Sequence, residues 1–215
     1  MSSTKSIVIS CAGLGSRLGL GQTKALLQIG NKSLIQWQIE AFRDVKDIRV
    51  VIGYQSKDVI NEVLKIRDDV IFVYNHDYFN TKTGASFYLG ARDANEYVIE
   101  WDGDMIVHPA DIKKILDTPG EFLCYSEITS EDSVYVNIDN NGLVNEFSKI
   151  SGNFEWTGPV CIKKSKIKYT KENVYDQITP HLPMKGFKIR AYDIDTYDDY
   201  IRVVDVFNKW IHEEK

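Results

Sequence analysis

Cysteine is scarce in this chain. Three residues in 215, Cys11, Cys124 and Cys161, are too widely spaced and odd in number for a disulfide framework or a zinc site. They read as buried, reduced thiols. Long apolar runs are missing too: none approaches the roughly 20 residues that a bilayer span needs. The N-terminal Met1-Ser2-Ser3-Thr4-Lys5 leads into a strand without the apolar stretch of a signal peptide, so no membrane partner and a cytoplasmic location are expected. Nor is there a surplus of basic residues. With 26 Lys and Arg against 31 Asp and Glu, the formal charge is −5, which argues against the dense cationic surface of non-specific nucleic-acid binders. An anionic ligand must then be held by a local cluster. Repeats, linkers and low-complexity stretches are also lacking, and residues 1–215 read as one domain.

What is present stands out near the N-terminus. Between the apolar run Ile7-Val8-Ile9 and a helix-like stretch starting near Lys32 lies Cys11-Ala12-Gly13-Leu14-Gly15-Ser16-Arg17-Leu18-Gly19-Leu20-Gly21-Gln22-Thr23-Lys24. A glycine-rich loop leaving a strand brings several backbone N–H groups to one anion, and Arg17 and Lys24 add two cations. The P-loop order is absent, because Lys24 follows Thr23 instead of preceding a hydroxyl residue. The dinucleotide fingerprint fails as well, with Leu18 where its third glycine belongs. A triphosphate clamp is the functional reading; a flexible strand-to-helix turn is the alternative.

Strand-like runs at 7–10, 49–52, 70–74 and 97–101 alternate with helix-like segments at 33–42, 57–64 and 86–94, which predicts β-α-β units around a sheet buried on both faces. Beyond a helix at 111–116, strands are expected at 121–126, 133–138 and 143–147. Asp139-Asn140-Asn141-Gly142 is the turn of a hairpin between the last two. A strand at 155–162, a helix at 169–182, a strand at 187–193 and an amphipathic helix at 197–211 complete the pattern. Ligands of such sheets sit at the carboxyl ends of the strands.

Two acidic segments fall at such ends. Trp101-Asp102-Gly103-Asp104 offers two carboxylates, either for Mg²⁺, which takes oxygen ligands and shares them with phosphate, or as a helix-capping turn. In Asp193-Ile194-Asp195-Thr196-Tyr197-Asp198-Asp199, Thr196 is a natural N-cap and Asp198 and Asp199 suit the first helical turn. That leaves Asp195 as a second candidate metal ligand. Lys149, in Glu146-Phe147-Ser148-Lys149-Ile150, is either solvated or a third cation of the site.

Together these segments resemble the nucleotidyltransferases of the MobA-like or sugar-nucleotidyltransferase fold, in particular the small cytidylyltransferases that act on phosphocholine and related phospho- or phosphono-alcohols and amines. The family signature Ala-Gly-x-Gly-Ser-Arg-Leu followed by Pro-Lys-Ala-Leu is matched by Ala12 to Leu18 and Thr23-Lys24-Ala25-Leu26, with Thr23 in place of proline and a short stretch between. Asn75 to Asn80 and Thr83-Gly84-Ala85-Ser86 resemble its base-contacting segment. Glu146-Phe147-Ser148-Lys149 with Trp156-Thr157-Gly158 resembles its substrate-side hairpin.

The resemblance implies a three-layer α/β/α, Rossmann-like mixed sheet with a small β-hairpin on the substrate side. It implies attack of a phosphate or phosphonate oxygen on the α-phosphorus of a nucleoside triphosphate, most simply CTP, with release of pyrophosphate. The implied catalytic residues are Arg17, Lys24 and Lys149. Ala12, Gly13, Gly15, Ser16, Gly84 and Ser86 would bind the nucleotide, and Asp102, Asp104 and Asp195 would hold Mg²⁺. Trp101, Trp156 and Tyr78, with Glu155, could wall in a cationic substrate group, or be core aromatics. Phosphocholine, 2-aminoethylphosphonate and a polyol phosphate all remain open as acceptors. Two rival readings stay beside this one: a metal-dependent glycosyltransferase, because Asp102-Gly103-Asp104 is also an Asp-x-Asp motif, and a nucleotide-binding protein without turnover.

Overall fold

The computed structural model describes residues 5–129 and 133–213, with side chains described as far as residue 210. Residues 1–4, expected to lead into the first strand, lie outside the described residues. The first half of the chain forms β1 (Lys5–Cys11), a short hairpin of β2 (Gln28–Ile29) and β3 (Lys32–Ser33), α1 (Leu34–Ala41), β4 (Asp47–Ile52), α2 (Ser56–Leu64) and β5 (Ile71–Tyr74). There follow α3 (Thr83–Ala91), β6 (Tyr97–Asp102), β7 (Met105–Val107), α4 (Pro109–Asp117), β8 (Phe122–Tyr125), β9 (Tyr135–Ile138) and β10 (Leu143–Ser148). The chain ends with β11 (Phe154–Glu155), β12 (Val160–Lys163), α5 (Val174–Ile178), β13 (Met184–Lys188), β14 (Ala191–Asp193) and α6 (Tyr197–Glu213).

Ten strands form one mixed sheet in the order β11-β9-β10-β13-β8-β12-β6-β1-β4-β5. Around β1 the pairing is parallel, to β6 on one side and β4 on the other, and β12 pairs antiparallel with β6. Alternation along β1 explains the layers. Ile7, Ile9 and Cys11 pack with Ile35, Ile39 and Phe42 of the α1 region and Val59 and Val63 of α2. Val8 points the other way, into a cluster with Phe87 and Ala91 of α3 and Val174 and Ile178 of α5. Both faces of the sheet are thus covered, giving the α/β/α arrangement expected of near-continuous apolar strands. A third cluster joins Leu27, Ile29 and Leu34 to Ile106, Ile194, Val203 and Phe207, and so seats α6 against the β2–β3 hairpin and β7. None of the described helices is long and apolar enough to cross a membrane.

The expected β9–β10 hairpin forms, with the Asp139 carboxylate accepting from the N–H groups of Asn141 (2.8 Å) and Leu143 (3.0 Å). Three expected elements are broken up. The strand expected at 155–162 divides into β11 and β12, separated by Trp156-Thr157-Gly158-Pro159, where Gly158 has φ 115°. Only a single turn of α-helix, α5, stands within 169–182; Asn173 caps it and Pro180 lies just beyond. The strand expected at 187–193 is two strands. β13 joins the main sheet, whereas β14 pairs with β7 in a separate two-stranded ladder.

Candidate active site

The carboxyl ends of β1 and β6 open into a cleft of about 250 Å³. Gly15 adopts φ +64°, and a β-carbon there would lie 2.7 Å from the Gln22 carbonyl oxygen, so only glycine lets the loop fold back on itself. Leu18 buries its side chain, Tyr54 donates its hydroxyl to the Gly21 carbonyl (3.1 Å), and the Tyr54 N–H bonds the Ala12 carbonyl (3.1 Å). Thr23, in the proline position of the signature, uses the N–H that proline lacks: it donates to Gln55 Oε1 at 2.8 Å. These contacts leave Ala12, Gly13, Gly15, Ser16, Arg17 and Lys24 lining the cleft.

Lys24 is the hub. Its Nζ lies 2.7 Å from Asp104 Oδ2 and 2.5 Å from Asp195 Oδ1. Arg17 reaches the same Asp195 oxygen at 2.9 Å. With its side chain 12% exposed against 62% for Arg17, Lys24 is part of the floor and Arg17 an exposed arm at the mouth. Burial opposes the Lys24 charge, but Asp104 and Asp195 outweigh it and hold the ammonium above its usual pKa. The long separation in sequence between the two aspartates is closed by the β7–β14 ladder, where Asp193 faces Met105, and by a 3.0 Å bond from the Ile194 N–H to the Asp104 carbonyl.

More carboxylates crowd behind them. Glu100 is fully buried, and desolvation followed by repulsion from Asp102 pushes its carboxyl well above the usual range. Asp102 is raised to about 7, first by desolvation and then by Asp104, with Lys24 opposing. Asp193 is raised well above its usual value, by desolvation and then by Asp104 and Asp102. Its Oδ1 is buried without a hydrogen-bond partner among the described residues. A surplus of carboxylate oxygens held close together suits a hard cation. Mg²⁺ commonly takes one or two protein carboxylates and completes its shell from phosphate and water. Among the described residues no three acidic, histidine or cysteine side chains are gathered to hold an ion alone, so Asp104 and Asp195 fit a metal that arrives with a ligand's oxygens.

A second cleft, of about 240 Å³, adjoins the first and shares Arg17, Thr83, Asp102 and Asp104 with it. Lys149, Glu155 and Trp156 line it, with Tyr175 and Asp193. Trp156 packs against Phe147 (5.2 Å between ring centroids) and Tyr175 (6.3 Å), and Lys149 Nζ sits 5.4 Å from the centre of the Tyr175 ring. Glu155 is buried and accepts from the N–H of Thr129 at 2.7 Å.

Two expected site residues lie elsewhere. Trp101 is 1% exposed and packs edge-on to Phe42 at 4.7 Å, because alternation along β6 turns it to the face opposite Asp102. Gly84 is used in packing: its N–H bonds the Glu172 carbonyl (2.9 Å), its carbonyl accepts from Gln177 Nε2 (2.8 Å), and a β-carbon would meet the Glu172 oxygen at 2.6 Å. Ser86, two residues on, lines the first cleft with Tyr78, Asn75 and Lys82. Gln55, Tyr175 and Asp193 were not singled out in the sequence as site residues. Of these only Asp193, flanking a strand-end aspartate, carried a local signal.

A glycine-rich loop, a lysine between two carboxylates and two joined clefts on an α/β/α sheet have the form of a nucleotide-dependent transferase site. The chain belongs to the MobA-like NTP transferase domain family, whose profile matches residues 7–135. It is 36% identical over 101 residues, 44% of this chain and 43% of the relative, to choline-phosphate cytidylyltransferase of Streptococcus pneumoniae. The chain spans less than half the length of the curated relatives it matches. Among solved structures, the CTP:phosphocholine cytidylyltransferase LicC of Streptococcus pneumoniae superposes with a TM-score of 0.76 at 20% identity, covering 95% of this chain and 99% of that one. The inositol-1-phosphate CTP transferase of T. maritima gives 0.81 at 17% identity, covering 98% and 97%. At such identities these structures speak for the fold.

Proposed function

We propose that this protein transfers a nucleoside monophosphate, CMP from CTP, to a small phosphorylated or phosphonate acceptor and releases pyrophosphate. The observation that carries this reading is the pair of joined clefts with Lys24, Asp104 and Asp195 at the junction. One cleft is lined by the glycine-rich loop, and the other by a lysine, a glutamate and aromatic rings. Such a junction suits an α-phosphate approached from the acceptor side.

In the proposed reaction an oxygen of the acceptor's phosphate or phosphonate forms a bond to the α-phosphorus, and the bond from that phosphorus to the bridging oxygen of the leaving pyrophosphate breaks. The nucleophile is already ionised at neutral pH, so no side chain need remove a proton. Positioning and charge neutralisation are what the protein adds. The N–H groups of the loop at Gly13, Gly15 and Ser16 face the β- and γ-phosphates, and the exposed Arg17 neutralises the departing pyrophosphate. Lys24, held in place before any ligand binds, meets the α-phosphate, and Lys149 neutralises the acceptor's anion. Asp104 and Asp195, with Asp102 beside them, would hold Mg²⁺, which supplies further neutralisation of the triphosphate oxygens. Trp156 and Glu155 would face the acceptor's remaining group, and phosphocholine, 2-aminoethylphosphonate and a polyol phosphate each fit that description.

The test is pyrophosphate release with each nucleoside triphosphate and Mg²⁺ against a panel of these acceptors. The expected result is acceptor-dependent release that is greatest with CTP. Formation of a nucleoside diphosphate in place of pyrophosphate, or release that ignores the acceptor, would overturn the reading.

A further inference from the structure

A short hydrogen-bond chain in the wall of the first cleft has a fixed direction. Asn75 is 3% exposed at the end of β5, and its Oδ1 accepts from the Asp77 N–H at 3.1 Å. A backbone N–H donates only, so this contact identifies the oxygen side of the Asn75 amide. The Nδ2 side then donates to Ser86 Oγ at 3.1 Å and to Thr81 Oγ1 at 3.0 Å. Thr81 directs its own hydroxyl proton to the Asp77 carbonyl at 2.9 Å, an acceptor only. Both ends of the chain therefore rest on one peptide backbone, and no member can reverse without losing a bond. Ser86 is 5% exposed, and its hydroxyl accepts from Asn75 and makes no other hydrogen bond among the described residues. Its proton has no internal acceptor, although a helical serine commonly returns it to the carbonyl four residues back. Ser86 lines the cleft.

We infer that Asn75 is a positioning residue for nucleotide binding: by donating to Ser86 it makes that hydroxyl a donor toward the cleft, where it meets a carbonyl or ring-nitrogen acceptor of the nucleobase. This rests on reading the cleft as a nucleoside triphosphate site. Asn75 also lines the cleft, but its amide is committed on both sides, to Asp77, Thr81 and Ser86. It acts through the polarity of Ser86, so its influence falls on nucleotide affinity and not on the chemical step.

The substitution Asn75→Asp keeps the shape and reverses the sense, because a carboxylate accepts the Ser86 proton and leaves only lone pairs facing the base. The expected result, by calorimetric titration with CTP and Mg²⁺ and by steady-state kinetics, is a weakening of CTP binding of about tenfold, as for one lost hydrogen bond in a dry site, with kcat unchanged. Ser86→Ala gives a similar loss, and Asn75→Asp adds nothing in that background. Should Asn75→Asp not fold, Ser86→Thr, which keeps the donor, retains CTP affinity where Ser86→Ala loses it. Wild-type affinity in folded Asn75→Asp, additive losses in the double variant, a fall in kcat with unchanged affinity, or a Ser86→Thr loss equal to that of Ser86→Ala would each overturn the inference while leaving the transferase reading intact. Absence of nucleotide binding by the wild-type protein would remove both.

Discussion

Lys24 stands between two carboxylates that would otherwise repel each other across the floor of the cleft. Lys24→Ala weakens that compensation and removes the buried cation at the junction. Turnover is expected to fall by about 10²–10³-fold, the scale of losing a preorganised charge contact, with a cooperative thermal melt retained. Pyrophosphate release beside a melting curve measures both. The two tryptophans first grouped together separate cleanly at this scale. Trp156→Ala should raise the KM for the acceptor severalfold and leave that for CTP alone. Trp101→Phe, in the core, should lower stability by about 1–3 kcal/mol and leave both unchanged, which urea unfolding and kinetics will separate. Their different fates were partly legible in the sequence. Neighbours on a strand face opposite ways, and Asp102 at the cleft already implied Trp101 away from it. Gly84 carried no such sign, since the segment it packs against, near Glu172, is 88 residues later and only the folded chain brings them together.

Helix α3 shows how a cleft-lining element is pinned from its far end. Thr83 and Ser86 near its start line the cleft, while beyond its last turn the buried Arg49 donates to the carbonyls of Arg92 (2.5 Å) and Asp93 (2.9 Å) and pairs with Asp47 at 2.9 Å. Arg49→Met strands those carbonyls and removes the cation beside Asp47, whose carboxylate keeps its bonds from Ser6 and Asn95, and should cost about 2–4 kcal/mol in urea unfolding. Helix α4 is tied similarly. Asp111 in its first turn accepts from the Arg190 N–H at 2.8 Å and from its guanidinium at 2.9 Å. Desolvation raises the Asp111 pKa, but the Arg190 contacts outweigh it and the net value is lowered. A carboxyl lowered on folding stabilises the protein above its unfolded pKa of about 3.9 and loses that contribution as pH falls through the folded value. Asp111→Asn should therefore lower the melting temperature at pH 7, and the gap to wild type should close below about pH 4. Elements with strong local patterning, such as β1, α2 and the β9–β10 hairpin, were legible in the sequence within a few residues. Those at 155–162 and 187–193 were not, because apolar content carried the pattern across Gly158-Pro159 and Lys188-Ile189-Arg190, where the chain leaves one ladder for another.

For the whole molecule, the candidate site depends on the last part of the chain reaching the middle. Ile194 is fully buried between α6 and β7, and its neighbour Asp195 meets Lys24. Ile194→Ala should lower stability by about 2–4 kcal/mol through the cavity it leaves. It should also reduce kcat more than CTP affinity, because the displaced group is Asp195 and not the glycine loop; unfolding and kinetic measurements on one preparation check this. The position of Asp195 in the chain was legible as a strand-end carboxylate, whereas the route that delivers it, β14 pairing with β7 outside the main sheet, was hidden in two three-residue strands. That route sets an order of events during synthesis. A growing chain that has emerged as far as β12 already contains the glycine loop, Lys24 and Asp102-Gly103-Asp104, yet not the carboxylate that closes around Lys24. Until β14 is made, a copy on the ribosome therefore holds the glycine loop and Lys24 without Asp195, one of the two carboxylates that pair with that lysine.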